Sequence, residues 1–127
     1  MDFDTMAFFE AQKHPEALPL YEALEGRILA EVDSVRIKVQ KSQITFYNRR
    51  LFACASFARV RRKAELPPCW LVVTVGLARR LDSPRVAVAT EPYPGRWTHH
   101  IVISDPAEVD DELMGWVREA AAFAAAK

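Results

Sequence analysis

The 127-residue chain is half hydrophobic and about a quarter charged, with 17 Lys and Arg balanced by 17 Asp and Glu. A chain of this size and composition makes one ordinary globular domain, burying roughly two-thirds of its unfolded surface without needing metal or disulfide staples. The composition excludes a disordered polyion, and no apolar run approaches the ~20 residues of a membrane-spanning helix, the longest being residues 70–78.

The N-terminal segment holds Met6, Phe8 and Phe9 before His14-Pro15 and reads as a short docking segment over residues 1–14. Leu18, Tyr21, Leu24, Ile28 and Val32 then recur at three- and four-residue intervals, which predicts a main helix from Pro15 to Val32. Ser34 opens a β region. Val35–Gln40 alternates, and so does Gln43–Tyr47, with Ile44 and Phe46 inward and Gln43, Thr45 and Tyr47 outward. Asn48-Arg49 suits a tight hairpin turn, because Asn tolerates the left-handed region. Leu51–Val60 is the predicted return strand, and its parity depends on the turn length, leaving open whether Phe52 or Phe57 faces the core.

Leu66-Pro-Pro68 begins a loop, and Trp70–Leu77 is the β-branched apolar run expected of a central strand. A basic loop through Arg79, Arg80 and Arg85 leads to a short strand at Val86–Thr90. Pro94-Gly95 fits the centre of a type II turn. On the strand that follows, Trp97, His99, Ile101 and Ile103 share the core face, while Thr98 and His100 take the accessible one. Asp105, Pro106 and Glu108 read as cap, first residue and reciprocal cap of a last helix carrying Val109, Leu113, Trp116, Val117 and Ala120 inward. The expected fold is α+β: a single, mainly antiparallel sheet of five or six strands packed on an N-terminal and a C-terminal helix, forming one domain over residues 1–127.

The neutral total hides a marked asymmetry. Residues 34–100 carry 13 Lys and Arg against Glu65, Asp82 and Glu91, and no acidic residue occurs from Ser34 to Ala64. Two candidate sites follow. One is a basic sheet face of Lys38, Lys41, Arg49, Arg50, Arg59, Arg61, Arg62 and Lys63, interleaved with Tyr47, for nucleic acid or another polyanion. Its structural alternative is protection of strand edges. The other is a ligand-binding cluster in which Arg79, Arg80, Arg85 and Arg96 converge with Tyr93, Trp97 and His100 on a small carboxylate or phosphate. There His100 is the weak candidate acid/base; its structural alternative is a solvated strand residue.

No glycine-rich phosphate loop, paired-carboxylate motif or metal-ligand spacing is present, so neither metal nor cofactor is expected. Cys54 and Cys69 have no metal-like spacing, and the acidic start lacks the pattern of a signal peptide, so a cytoplasmic setting with reduced thiols is expected.

Pro15-Glu-Ala-Leu-Pro-Leu-Tyr21, Val39-Gln-Lys-Ser-Gln-Ile-Thr-Phe-Tyr47, Leu51-Phe-Ala-Cys54, Glu91–His100 and the Gly115-Trp116 helix together resemble a bacterial domain of unknown function, the DUF5655 family. The resemblance covers nearly the whole chain. It implies a stand-alone α+β domain and transfers no catalytic residue. The expected function is therefore a small non-catalytic binding domain recognising an anionic partner, nucleic acid included. The alternatives are an enzyme or binding protein acting on a small phosphate or carboxylate metabolite through His100, and a self-associating protein (a homodimer) whose basic middle meets its acidic flanks.

Overall fold

The computed structural model describes residues 2–126. Helix α1 covers Phe3–Ala11, with the Asp2 carboxylate accepting from the Thr5 N–H at 2.8 Å. Lys13, at φ 63°, turns the chain out of it. A 3₁₀ turn at Pro15–Ala17 precedes helix α2, Leu18–Glu31, so the α-helix starts later than the stripe predicts. The cause is Pro19. Its ring would clash with the carbonyl four residues earlier, that of Pro15, so an α-helix cannot run through both prolines. Leu20, Tyr21, Leu24 and Ile28 are buried along α2.

Six strands follow: β1 Arg36–Val39, β2 Gln43–Tyr47, β3 Leu51–Ser56, β4 Leu71–Leu77, β5 Val86–Tyr93 and β6 Arg96–Ile103. They form one antiparallel sheet in the order β1-β2-β3-β4-β6-β5. The α+β architecture and the six-stranded sheet agree with the sequence pattern.

The β2–β3 connection differs from expectation. Asn48 does not enter the left-handed region, since Lys13 and Ser34 are the non-glycine residues that do among those described. Its side chain shapes a three-residue turn instead: Oδ1 accepts from the Arg50 N–H at 3.3 Å, and Nδ2 donates to the Ala121 carbonyl at 2.8 Å. The longer turn makes Phe46 pair with Ala53 but Tyr47 with Leu51, leaving Phe52 as the extra residue of a β-bulge. That sets the buried Phe52 ring 6.5 Å from Phe46. Phe57 is half-buried and lies between the rings of Phe8, Phe9, His14 and Trp70. β3 stops at Ser56 rather than Val60, because the Ser56 hydroxyl accepts from the Ala58 N–H and turns the chain away.

Gly95 has φ +83°, which only glycine adopts cheaply, and the Pro94-Gly95 turn joins β5 to β6 as expected. The capping box of Asp105 and Glu108 also forms, but it closes a 3₁₀ turn, Pro106–Glu108. A second cap, Asp110 Oδ1 accepting from the Leu113 N–H at 2.9 Å, starts helix α3 at Asp111, and that helix runs to Ala126. Trp116 is half-buried beneath the Arg85 guanidinium, 5.7 Å from its ring, rather than in the core.

All three helices contribute to one apolar cluster on a single face of the sheet. Ile44, Phe46, Ala53, Ala55, Val73, Val75, Ile101 and Ile103 supply the sheet side. The small Ala53 and Ala55 let α3 ride closely over β3 and β4 through Ala120, Ala121 and Ala124. Among the described residues no helix covers the opposite face.

Candidate anion-binding face

Strand alternation places Lys38, Thr45, Cys54, Thr74 and His100 in one cross-strand row on the helix-free face. Arg36, Tyr47, Gly76, Thr98 and Arg96 share that face. Its middle is a floor of small residues. Cationic side chains rise on either side of it, Arg36 and Lys38 from the edge strand β1 and Arg96 from β6, one strand in from the other edge. Thr45 lies on the expected outward face yet is fully buried, flanked in register by Lys38 and Cys54, and its hydroxyl donates to the Lys38 carbonyl at 3.1 Å.

Arg96 defines the site. A Cβ on Gly76 would lie 2.5 Å from its Nη2, 2.6 Å from its Cζ and 2.7 Å from its Nη1. The guanidinium therefore rests flat on the Gly76 backbone, in space that any other residue would fill. Among the described residues neither a carboxylate nor a hydrogen-bond acceptor pairs with it, although it is half-buried. Beside it a groove of about 490 Å³ is lined by Arg50, Leu51, Tyr93 and Arg96 and, from α3, by Phe123 and Ala124.

One step further along the face, the His100 Nδ1 is 2.8 Å from the Thr74 hydroxyl. Burial pushes the His100 pKa below the ordinary histidine value, favouring neutral imidazole. Burial also raises the Cys54 thiol, outweighing a hydrogen bond with Thr74, so this cysteine is not an activated thiolate.

His99 points the other way, as alternation requires. It is fully buried, and its Nε2 accepts from the Leu81 N–H at 2.9 Å. That bond fixes the proton on Nδ1, which has no well-formed partner among the described residues. Burial lowers the His99 pKa, the Val75 backbone opposes the shift, and Arg79 and Arg80 add to it.

The structure divides the residues of the two sequence-derived sites differently. Arg96 and His100 share the open face, and Tyr93 joins Arg96 at the groove. Arg79, Arg80, Arg85 and Trp97 do not converge with them. Arg79 makes a two-pronged bond to Glu119 on α3, at 2.9 Å for both contacts. Arg85 binds Asp110 and Glu112 and donates to the Glu108 carbonyl at 2.8 Å. Arg80 lies 5.7 Å over Trp97, which faces the helix side. The reason is that β4 ends at Leu77 and its loop turns under the sheet toward α3, a course set by tertiary pairing.

The acid-free stretch likewise separates into two ends of the sheet. Lys41 and the Arg59, Arg61, Arg62 and Lys63 segment lie beyond the β1–β2 and β3–β4 ends, where a shallow, open depression also includes Glu65. Arg49 and Arg50 occupy the opposite end with Arg96, and Lys38 and Tyr47 remain on the face itself. Gly76 was missed by sequence reasoning. A lone glycine inside an otherwise β-branched strand was the available signal.

Among the described residues no cluster of His, Cys, Asp and Glu is arranged to hold a metal ion, and no helix is long and apolar enough to cross a membrane. Neither the curated proteins nor the solved structures contain a match to the chain. A family model described as Domain of unknown function (DUF5655) matches residues 6–124, and with that coverage the chain belongs to the DUF5655 family.

Proposed function

We propose that this protein is a binding domain for an anionic partner, recognised by the open sheet face and chiefly by its Arg96 end. The observation that carries the reading is the half-buried Arg96 guanidinium, seated on Gly76 without a paired anion among the described residues. Partly burying a cation costs free energy that an arriving carboxylate or phosphate offsets. Arg50 adds a second cation at the same end, and Arg36 and Lys38 extend positive potential across the face.

The test is an amide-resonance titration with inorganic phosphate, pyrophosphate and a single-stranded oligonucleotide, at low and then physiological salt. Shifts centred on Gly76, Arg96 and Thr98 that Arg96→Gln removes support the reading. Absence of any anion-induced shift at low salt rejects it.

The contact between Thr74 and His100 favours a second reading, in which neutral His100 serves as a general base toward a bound phosphate or carboxylate metabolite. Under that reading His100→Ala abolishes a turnover measurable with the wild-type protein. Under the binding reading it leaves anion affinity largely intact.

A further inference from the structure

The groove beside Arg96 is more selective than a basic surface. We infer that it takes a small organic acid with an apolar, ring-sized body, its acidic group on Arg96 and its body against Leu51 and Phe123. This rests on the anion-binding reading and names its ligand class.

The lining carries the argument. One side presents the Arg96 guanidinium, with Arg50 beside it, while Leu51, Phe123 and Ala124 offer carbon, and the half-exposed Tyr93 ring closes the rim. A bare phosphate would use only the cations and leave the apolar surface wet. A nucleic-acid backbone needs a continuous charged track, whereas this end is a bounded groove. Its volume of about 490 Å³ suits a small molecule.

Two other depressions lack this combination. The one lined by Arg59, Val60, Arg61, Arg62 and Lys63 is shallow and contains Glu65. The cavity of about 440 Å³ under the β4–β5 loop sets Asp82 beside Arg80, and that arginine already covers Trp97. A smaller depression of about 320 Å³, lined by Arg36, Ile37, Lys38 and Tyr47, also joins cations to carbon, but its Arg36 already donates to the Asn48 carbonyl. Arg96 is half-buried, lines a groove with apolar surface and has no acceptor of its own among the described residues.

The experiment compares phenylphosphate, inorganic phosphate, benzyl alcohol and an oligothymidylate as probes, by amide-resonance titration of the full chain. Phenylphosphate is expected to bind about tenfold tighter than phosphate, as partial burial of one ring implies. Its shifts should map to Leu51, Arg96 and Phe123, and benzyl alcohol should not bind. Phe123→Leu and Tyr93→Ala should narrow the gap between phenylphosphate and phosphate, while Arg96→Gln weakens both. Tyr93 is exposed, so its variant keeps the test independent of helix packing. Equal affinity for phosphate and phenylphosphate overturns the ligand class and leaves anion binding standing. Tighter binding of the oligothymidylate at the same groove also overturns it. Failure of every anion at low salt removes both readings.

Discussion

Gly76→Ala separates the seat of Arg96 from its charge. The added methyl would stand 2.5–2.7 Å from three guanidinium atoms, so the group must lift by about 1 Å to restore ordinary contact. Gly76 does not have positive φ, so Ala fits the strand backbone. Removing an interior strand glycine should by itself stabilise the fold by about 0.5–1 kcal/mol. The disturbed side-chain packing offsets part of that gain, and the thermal midpoint should move little.

Anion affinity should fall much further. Losing an aligned, charge-assisted hydrogen bond costs about 1.5–3 kcal/mol, or about 10- to 150-fold in Kd. Isothermal titration with phenylphosphate measures it, and Arg96→Gln gives the reference. Combined with Arg96→Gln, Gly76→Ala should add nothing, because both act through one guanidinium. Unchanged affinity in Gly76→Ala would refute the seat as a binding determinant. An unfolded variant would refute the geometry that puts only a movable side chain in the way.

Acidification should destabilise the protein before its carboxylates protonate. His99 and His100 both have lowered folded-state values, so the unfolded chain binds more protons as pH falls through 6.5, and stability present above that pH is progressively lost below it. Urea midpoints should therefore drop between pH 7.5 and 5.5 and drop less in His100→Asn; a flat profile would contradict the buried neutral rings. Arg85→Met should cost roughly 2 kcal/mol in urea unfolding, since it removes charge-assisted bonds to Asp110 and Glu112 and leaves the Glu108 carbonyl short of a donor. Thr45→Val, nearly isosteric, should cost about 1 kcal/mol by deleting the hydroxyl bond to Lys38 in a fully buried position. A neutral result there would show that the bond contributes nothing net.

Periodicity made the elements legible. Ile44 and Phe46 alternate because one face is buried, and the same rule sends His99 and His100 to opposite faces. What periodicity does not encode is where a loop goes. Arg79 and Arg96 lie at the same end of the sheet in a basic region, yet one bonds Glu119 and the other has no ionic partner among the described residues, because Arg79 is in a loop that turns toward α3 while Arg96 is in β6 on the helix-free face. The charge asymmetry was readable as a total, but the sheet sends Arg59–Lys63 and Arg49–Arg50 to opposite ends. Turn length was equally out of reach. Asn48 bonds to Ala121, 73 residues away, so the bulge at Phe52 depends on a helix that local sequence cannot see.

The strand order has a consequence for a chain made from its N-terminus. The first four strands form a simple meander, but the next neighbour of β4 is β6, not β5. Until the ribosome has delivered Ile103, the hydrogen-bonding edge of Leu71–Leu77, the most apolar strand, has no partner. Such an edge recruits foreign strands. Chains truncated between Leu77 and Arg96 should therefore partition into insoluble material, while chains reaching beyond Ile103 close that edge with their own hairpin.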